Sequence, residues 1–269
     1  MRGEHGLSIR KACTALTLSR SVYAYQPRPR DDSPIIEALT SLADKYPRYG
    51  FAKMFQMIRR QGHAWNHKRV YRVYCALNLN LRRKGKKRLP SRNPQPLAVP
   101  DLANICWSID FMSDALYSGM RFRTFNVVDD FNREGLDIEV DTSLPAPRVI
   151  RVLDRIAAWR GYPQKLRMDN GPELISVAMA DWAEEHDVQL DFIQPGKPTQ
   201  NSYIERFNRT YREEVLDLYI FSRLSEVREI TDRWLREYNE ERPHESLGNL
   251  TPAEYLALND PEVSAIEWH

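Results

Sequence analysis

The segment LRMDNGPEL (166–174) opens the stretch that decides the fold of this 269-residue chain; the apolar run VQLDFI (188–193) and the amphipathic segment TQNSYIERFNRTYREEVLDL (199–218) complete it. Asp169 ends a short apolar run of the kind that forms a β-strand, whereas Glu205 lies near the start of the amphipathic segment. The stretch therefore predicts a strand, a helix at LISVAMADWAEEHD (174–187), a second strand and a long helix. It places one acid at a strand end and the other on the long helix, with 35 residues between the two acids.

A third carboxylate, Asp110, lies upstream in the apolar segment WSIDF. Divalent cations such as Mg²⁺ take oxygen ligands, and two of them about 3.5–4 Å apart can hold both oxygens of a phosphoryl displacement. Asp110, Asp169 and Glu205 are therefore candidate metal-binding and catalytic residues.

Each acid also has an ordinary structural interpretation. Asp110 would be a surface residue on a half-exposed strand, and Asp169 would stabilise the turn formed by Asn170 and Gly171. Glu205 would close a helix N-terminus with Ser202, because S-x-x-E is the capping-box pattern. None of the three acids is strong evidence alone.

The long helix carries further groups that are suited to binding and reacting with phosphates. An apolar stripe is expected to face the core, and it comprises Ile204, Phe207, Tyr211, Val215 and Leu218. Glu205, Arg209 and Arg212 fall on a neighbouring stripe, so an acid and two cations share one helix face. The alternative is a routine ion pair between Glu205 and Arg209, which are four residues apart.

The segments between Asp110 and Asp169 complete an α/β pattern. ICWSIDFM (105–112), FRTFNVVDDF (122–131) and GLDIEVD (135–141) are predicted strands, and residues 145–160 are a predicted helix. Three strands, a helix, a strand, a helix, a strand and a helix is the order of an RNase H-like fold. That fold places acids on the first strand, near the end of the fourth and on a late helix.

The charge of the chain is divided between its two parts. Residues 1–100 contain 21 Lys and Arg against 5 Asp and Glu, a net charge of +16, whereas residues 101–269 carry a net −14. A basic front binds polyanions such as nucleic acid, because neutralised phosphates release counterions. A basic linker without a binding role would give part of the same count.

The front of the chain is predicted to be helical. LSIRKACTALTLSRSVYAY (7–25) indicates two short helices around a turn, with Ser19 as an N-cap, in a helix-turn-helix-like arrangement or a plain helical hairpin. Three further helices are predicted within residues 34–80, the last of them capped by Asn66.

The third of these helices has the pattern of a DNA-recognition helix. Its apolar residues, Val70, Val73, Tyr74 and Leu77, fall on one face, and the basic face carries Lys68, Arg69 and Arg72. A basic run follows and adds Arg82, Arg83, Lys84, Lys86 and Lys87 as candidate DNA contacts. The alternative is a solvated basic face on a structural helix. His63 and His67 would suit zinc by spacing, but the cysteines lack a partner pattern, so zinc is not favoured.

The composition shifts define five segments. A helix-turn-helix-like segment with a Pro-rich linker is expected at 1–33, a basic helical DNA-binding region at 34–90, a linker at 91–104, the RNase H-like domain with C-terminal helices at 105–259, and a tail at 260–269. Three widely spaced cysteines, no signal-peptide pattern and no long apolar run lead us to expect a cytoplasmic protein.

Several segments together resemble one known family. WSIDF (107–111), NVVDDFNRE (126–134), RMDNGPEL (167–174), residues 192–216 and YNEERPHESLGNLTPAEYL (238–256) resemble the second-reading-frame transposase of the insertion-sequence family related to retroviral integrases. KYPRYGFAKMFQMIRRQGH (45–63) and KRVYRVY (68–74) resemble that family's helix-turn-helix region. The likeness covers most of the chain, and it implies a bacterial, nucleoid-associated protein.

The resemblance implies a function and a set of site residues. The family's acidic triad, with 35 residues between its second and third members, maps onto Asp110, Asp169 and Glu205. It implies strand cleavage and strand transfer of element ends, dependent on two Mg²⁺ or Mn²⁺ ions. Arg209 and Arg212 would position phosphates, and the site would be lined by Asn170, Gln200 and Asn201. Asp129 and Asp130 are second-choice metal ligands.

The expected partners are DNA, both the element's terminal repeats and the target, and further copies of the chain on that DNA. In this family an upstream frame usually supplies another helix-turn-helix and a leucine zipper, and no heptad repeat occurs here. An upstream-frame protein or fusion is therefore an expected partner. Two other functions remain open: a DNA-binding regulator without turnover, and a nuclease that cuts without joining.

Overall fold

The computed structural model describes residues 6, 8–26, 31–81, 97, 99–171, 173–194 and 201–259. The first part of the chain is helical, as predicted. Its helices are α1 (Ile9–Ala15), α2 (Arg20–Ala24), α3 (Ser33–Lys45), α4 (Phe51–Arg60) and α5 (His67–Ala76). The basic run at 82–88 lies outside the described residues.

Helices α3 to α5 pack around one small core. Ile35, Leu39, Ile58 and Val70 are among its buried side chains, each at most 1% exposed. The predicted cap of α5 is confirmed, since the Asn66 side chain accepts a hydrogen bond from the amide of Lys68. Ser19 caps α2 in the same way, which confirms the second predicted cap.

The second part of the chain is an α/β domain. Its strands and helices are β1 (Cys106–Ala115), β2 (Arg121–Asp129), β3 (Gly135–Asp141), α6 (Ala146–Arg160), β4 (Lys165–Met168), α7 (Val177–Glu185), β5 (Gln189–Phe192), α8 (Ser202–Tyr211), α9 (Leu224–Glu240) and α10 (Pro252–Asn259). A π-helical turn, Arg212–Leu216, continues α8. This is the predicted order of elements.

The five strands form a single mixed sheet in the order β3-β2-β1-β4-β5. Strands β1 to β3 are antiparallel neighbours, and β1, β4 and β5 are parallel neighbours. Asp110 pairs with Asn126 across β1 and β2. The β1–β4 ladder ends at the pair Ser108 and Arg167, two residues before Asp110 and Asp169.

Each face of the sheet is covered by helices. On β1, Trp107 and Ile109 point into a core shared with α6 and α7. Met112, on the opposite face, packs against a second core that includes Ile204 and Phe207 of α8. Alternation along the strand therefore directs Asp110, two residues before Met112, toward α8.

The helical region contacts the C-terminal helices of the α/β domain. Glu241 accepts a hydrogen bond of 2.9 Å from Lys45 Nζ and one of 2.7 Å from the Tyr46 hydroxyl. Arg60 forms an ion pair with Glu254 at the start of α10. These contacts join the two regions.

Two element ends differ from the sequence prediction by three residues. β1 extends through Ala115, because residues 113–115 pair with β2 rather than starting a loop. α7 begins at Val177 rather than Leu174, because the Ser176 side chain caps it by accepting from the Met179 amide. Within the described ranges, no helix has the length and apolar character needed to cross a membrane.

Candidate active site

Asp110 lies on β1, and each of its two carboxylate oxygens accepts a hydrogen bond. Oδ1 accepts a 2.8 Å hydrogen bond from the Phe111 amide, and Oδ2 accepts one of 2.8 Å from Asn208 Nδ2. Burial, followed by the negative charges of Asp169 and Glu205, raises the pKa of Asp110 to about 6. The charges of both other acids therefore affect the pKa of Asp110, although the three acids belong to different elements.

Asp169 follows β4 directly, next to β1 in the sheet. Its Oδ1 accepts a 3.0 Å hydrogen bond from the Gly171 amide, which is the turn contact expected for an aspartate before Asn-Gly. The turn interaction does not exclude a metal-binding role, because Oδ2 is not used in it.

Glu205 lies on α8, and its exposed side chain makes no hydrogen bond or ion pair with the residues that the structure describes. The capping-box interpretation is wrong: α8 begins at Ser202, Asn201 precedes it as the N-cap, and no side chain caps the helix. Partial burial raises the pKa of Glu205, and the charge of Arg209 opposes this shift. Glu205 is thus left without a structural role in the helix terminus.

The three acids lie on three different elements that meet at one site, but their carboxylates do not form a complete set of metal ligands. Among the described side chains, no set of three His, Cys, Asp or Glu residues is close enough to hold a metal ion. The donor chemistry nevertheless suits Mg²⁺ or Mn²⁺, since all three candidates are carboxylates. A cation between them would relieve the repulsion that contributes to the raised pKa of Asp110.

Asn208 is a site residue that the sequence analysis missed. It is 7% exposed, and its amide joins two strands: Nδ2 donates to Asp110, and Oδ1 accepts a 2.6 Å hydrogen bond from Asn126 Nδ2. Asn126 is fully buried. The available signal was a polar residue on the apolar stripe of α8, four residues after Ile204.

The two predicted cations of α8 have different surroundings. Arg209 is exposed and forms no ion pair with the described residues. Arg212 Nη1 lies 3.0 Å from Asp114 Oδ2, and its Nη2 donates to the Ser113 carbonyl. The π-helical turn starts at Arg212, so the regular helical stripe assumed from the sequence ends there.

The amide residues predicted to line the site are placed in part. Asn170 is exposed and donates a 3.3 Å hydrogen bond to the Ile193 carbonyl. Asn201 is 3% exposed; its Nδ2 lies 3.5 Å from the Ile109 carbonyl, while Oδ1 has no described partner. Gln200 lies outside the described residues.

The second-choice ligands Asp129 and Asp130 are used elsewhere. Both are fully buried, and Asp129 Oδ2 lies 3.1 Å from Arg160 Nη2. Asp130 Oδ2 lies 2.7 Å from Arg167 Nη1, and its Oδ1 accepts a 2.6 Å hydrogen bond from Ser108. These contacts make the two aspartates part of the domain core rather than substitutes for the three acids.

The predicted DNA-contacting face of α5 is partly engaged within the chain. Arg69 Nε lies 2.8 Å from Asp32 Oδ1, and Arg72 Nη2 lies 2.5 Å from Asp32 Oδ2. Lys68 is exposed. The five basic residues Arg82, Arg83, Lys84, Lys86 and Lys87 lie outside the described residues.

The aromatic contacts of the two histidines argue for packing. His63 stacks on Trp65 with ring centroids 4.1 Å apart, and His67 packs edge-on against Phe51 and Phe55.

Family models match nearly all of the chain between residues 29 and 252. An HTH-like domain matches residues 29–87, and two integrase core domain models match residues 100–198 and 186–252. The site described above lies within the two integrase core matches.

Related proteins come from bacterial insertion elements. An uncharacterized 31.7 kDa protein of insertion element IS407 from Burkholderia multivorans is 42% identical over 98% of this chain and 96% of its own length. An uncharacterized 39.2 kDa protein of IS476 from Xanthomonas euvesicatoria is 39% identical over 93% of this chain and 73% of its own. The HTLV-2 integrase catalytic core domain, solved in complex with magnesium, aligns at 16% identity with a TM-score of 0.46 over 57% of this chain and 97% of that one.

Proposed function

Because this chain belongs to the family of second-reading-frame insertion-sequence transposases, whose integrase core is related to retroviral integrases, we propose that Asp110, Asp169 and Glu205 are its catalytic and metal-binding triad. The chain is a transposase, an enzyme of DNA cleavage and strand transfer. The observation that carries the proposed triad is geometric: Asp110 lies on β1, Asp169 directly follows the neighbouring strand β4, and Asn208 of the helix that carries Glu205 donates to Asp110. The charges of Asp169 and Glu205 also raise the pKa of Asp110.

Two Mg²⁺ or Mn²⁺ ions held by these carboxylates would supply activation of a water or 3′-hydroxyl nucleophile and stabilisation of the departing 3′-oxygen. The protein itself supplies the placement of the ligands. Asn208 and the Phe111 amide fix both oxygens of Asp110, and the Gly171 amide fixes Oδ1 of Asp169. The reaction we propose is in-line displacement at phosphorus, without a covalent enzyme intermediate.

We assign phosphate contacts to cations and amides near the triad. Arg209 stands one helical turn after Glu205 and has no described ion-pair partner, so its guanidinium is available to a phosphate. Arg212 would have to leave Asp114 to make such a contact. Asn170, Gln200 and Asn201 are proposed to line the same surface.

The helical region is proposed to bind the terminal repeats, through Lys68, Arg69 and Arg72 of α5 together with the basic residues at 82–88. Its HTH-like match and its excess of positive charge support this role. Assembly of further copies on the element ends, and an upstream-frame partner or fusion, are part of the same proposal.

Iron-mediated cleavage tests the proposed metal site without requiring turnover. Fe²⁺ substituted for Mg²⁺ generates hydroxyl radicals in the presence of ascorbate and peroxide, and these radicals cut the polypeptide near the bound metal. We expect cuts close to residues 110, 169 and 205 that excess Mg²⁺ suppresses and that Asp110→Asn abolishes. Cuts that are absent from these positions, or unchanged in Asp110→Asn, would refute the triad assignment.

A further inference from the structure

The β1–β4 ladder does not hold the two aspartates of the triad against each other. Its last backbone pair is Ser108 with Arg167, so Asp110 and Asp169 each lie two residues beyond the hydrogen-bonded part of the parallel pair. Beyond that point β1 remains paired with β2, and β4 with β5, but the β1–β4 ladder no longer joins the two strands, so side-chain contacts add to what sets the spacing of the two carboxylates.

Arg123 provides such a contact from the neighbouring strand. It pairs with Ser113 in the ladder, which makes Phe111 its diagonal neighbour, and its guanidinium carbon lies 4.4 Å from the centroid of the Phe111 ring. The other end of the guanidinium forms an ion pair with the Glu173 carboxylate. That hydrogen bond is the main reason why the pKa of Glu173 lies below its ordinary value.

Glu173 belongs to the turn that carries Asp169. A Cβ atom placed on Gly171 would lie 3.0 Å from Asp169 Oδ1 and 3.7 Å from Glu173 Oε2, so the two carboxylates flank the same glycine. The turn is closed by backbone hydrogen bonds of 3.0 Å from the amides of Leu174 and Ile175 to the Gly171 carbonyl. A displacement of Glu173 would therefore also shift Asp169, because the two residues belong to one short hydrogen-bonded turn.

Phe111 completes the connection at the other end. Its ring carries the guanidinium of Arg123, and its amide donates to Asp110 Oδ1. Contacts thus run without a break from Asp110 through Phe111, Arg123 and Glu173 to the turn of Asp169. The planar guanidinium contacts the Phe111 ring and the Glu173 carboxylate at the same time. These two contacts restrict its orientation more than they would restrict that of an ammonium group.

We infer that Arg123 is a positioning residue that fixes the spacing of Asp110 and Asp169 by bridging Phe111 and Glu173. The inference rests on the proposed function, because it assigns these two aspartates to one metal site. Arg123 also neutralises Glu173, which would otherwise add a third negative charge beside Asp169.

Binding of Mn²⁺ to the full-length protein, followed by electron paramagnetic resonance, tests the inference without catalysis. We expect Arg123→Met to weaken Mn²⁺ affinity by roughly 10- to 100-fold, the usual effect of losing a group that orients a ligand. Arg123→Lys keeps the charge but not the planar contacts, and we expect an intermediate affinity. Arg148→Met is the matched control, because Arg148 is equally exposed at 31% and bonds Glu139 at 2.9 Å on the far edge of the sheet.

The outcomes separate the inference from the proposed function. If Asp110→Asn loses Mn²⁺ while Arg123→Met binds it like wild type, the triad stands and the positioning role of Arg123 is wrong. Equal weakening by Arg123→Met and Arg148→Met would also overturn it, since the effect would then be general destabilisation. If Asp110→Asn binds Mn²⁺ unchanged, the proposed triad fails and the inference fails with it. If Arg123→Met does not fold, the same criteria apply to Arg123→Lys.

Discussion

Asn208 donates a hydrogen bond of 2.8 Å to Asp110, and this bond connects the helix that carries Glu205 to the strand that carries the first acid of the triad. Asn126 orients the Asn208 amide by donating to its oxygen at 2.6 Å. The amide therefore stabilises the charged form of Asp110, against the effects of burial and of the two neighbouring acids.

Replacing Asn208 tests this connection. We predict that Asn208→Ala lowers the strand-transfer rate by roughly 10- to 100-fold, because Asp110 loses the group that orients it. The pKa of Asp110 should rise further, so the rising limb of the pH–rate profile should move to higher pH. Asn239→Ala is the control: Asn239 bonds the backbone of Gly135 and should affect stability without moving the profile. An unchanged profile in Asn208→Ala would contradict the assignment.

The charge of Asp110 should make the metal-free protein less stable. The pKa of Asp110 is raised from 3.8 to about 6, so the penalty is absent below pH 3.8, grows between the two values and is complete above pH 6. In the presence of EDTA at pH 7.5, Asp110→Asn should increase the free energy of unfolding by up to about 3 kcal/mol. The gain should vanish near pH 4. Urea unfolding at both pH values measures the change in the free energy of unfolding. A lower stability of Asp110→Asn than of wild type at pH 7.5 would contradict the prediction.

The two arginines of α8 should give different phenotypes. Arg209→Ala should weaken DNA binding and reduce the slope of log affinity against log salt by about 1, as expected when one phosphate contact is lost, with little change in stability. Arg212→Ala removes the ion pair with Asp114, so we expect a lower melting temperature and a smaller effect on the slope. Fluorescence anisotropy across salt concentrations and thermal unfolding distinguish the two. Identical salt slopes for both variants and wild type would exclude the phosphate contact of Arg209.

Asp32 should oppose DNA binding by the helical region. It pairs with Arg69 and Arg72, two of the three cations of α5 that are predicted to face DNA. Asp32→Asn should release the two arginines. The slope of log DNA affinity against log salt should then become steeper by about 1–2, since each freed cation can neutralise a phosphate. Asp44→Asn makes the same charge change at an exposed aspartate without a described ion pair. Equal effects of the two substitutions would mean that only net charge matters.

The sequence predicted the architecture because its main signals are local. Strand alternation, helical spacing and the turn after Asp169 are contained within short segments, and the order of elements then determines which acids belong to which strand or helix. The caps Ser19 and Asn66 were predicted for the same reason, since each bonds an amide two or three residues away.

Two features that the sequence did not reveal depend on contacts between distant residues. Asn208 bonds Asp110 from 98 residues away, and Arg123 reaches Glu173 across 50. Arg212 was assigned to a phosphate-binding stripe because a regular α-helix was assumed, whereas the helix becomes π-helical there and Arg212 pairs with Asp114. The capping-box pattern at Ser202 failed because α8 starts at that serine instead of after it. The proposed segment boundaries stay a prediction.

The most direct test of the account is strand transfer of labelled element-end DNA in Mg²⁺ or Mn²⁺, comparing wild type with Glu205→Gln, with and without the upstream-frame partner. We predict that wild type cuts and joins the ends, and that Glu205→Gln binds them with normal affinity but neither cuts nor joins. Cutting without joining would favour a nuclease. DNA binding without either reaction in wild type, under both conditions, or full activity in Glu205→Gln, would contradict the proposed site.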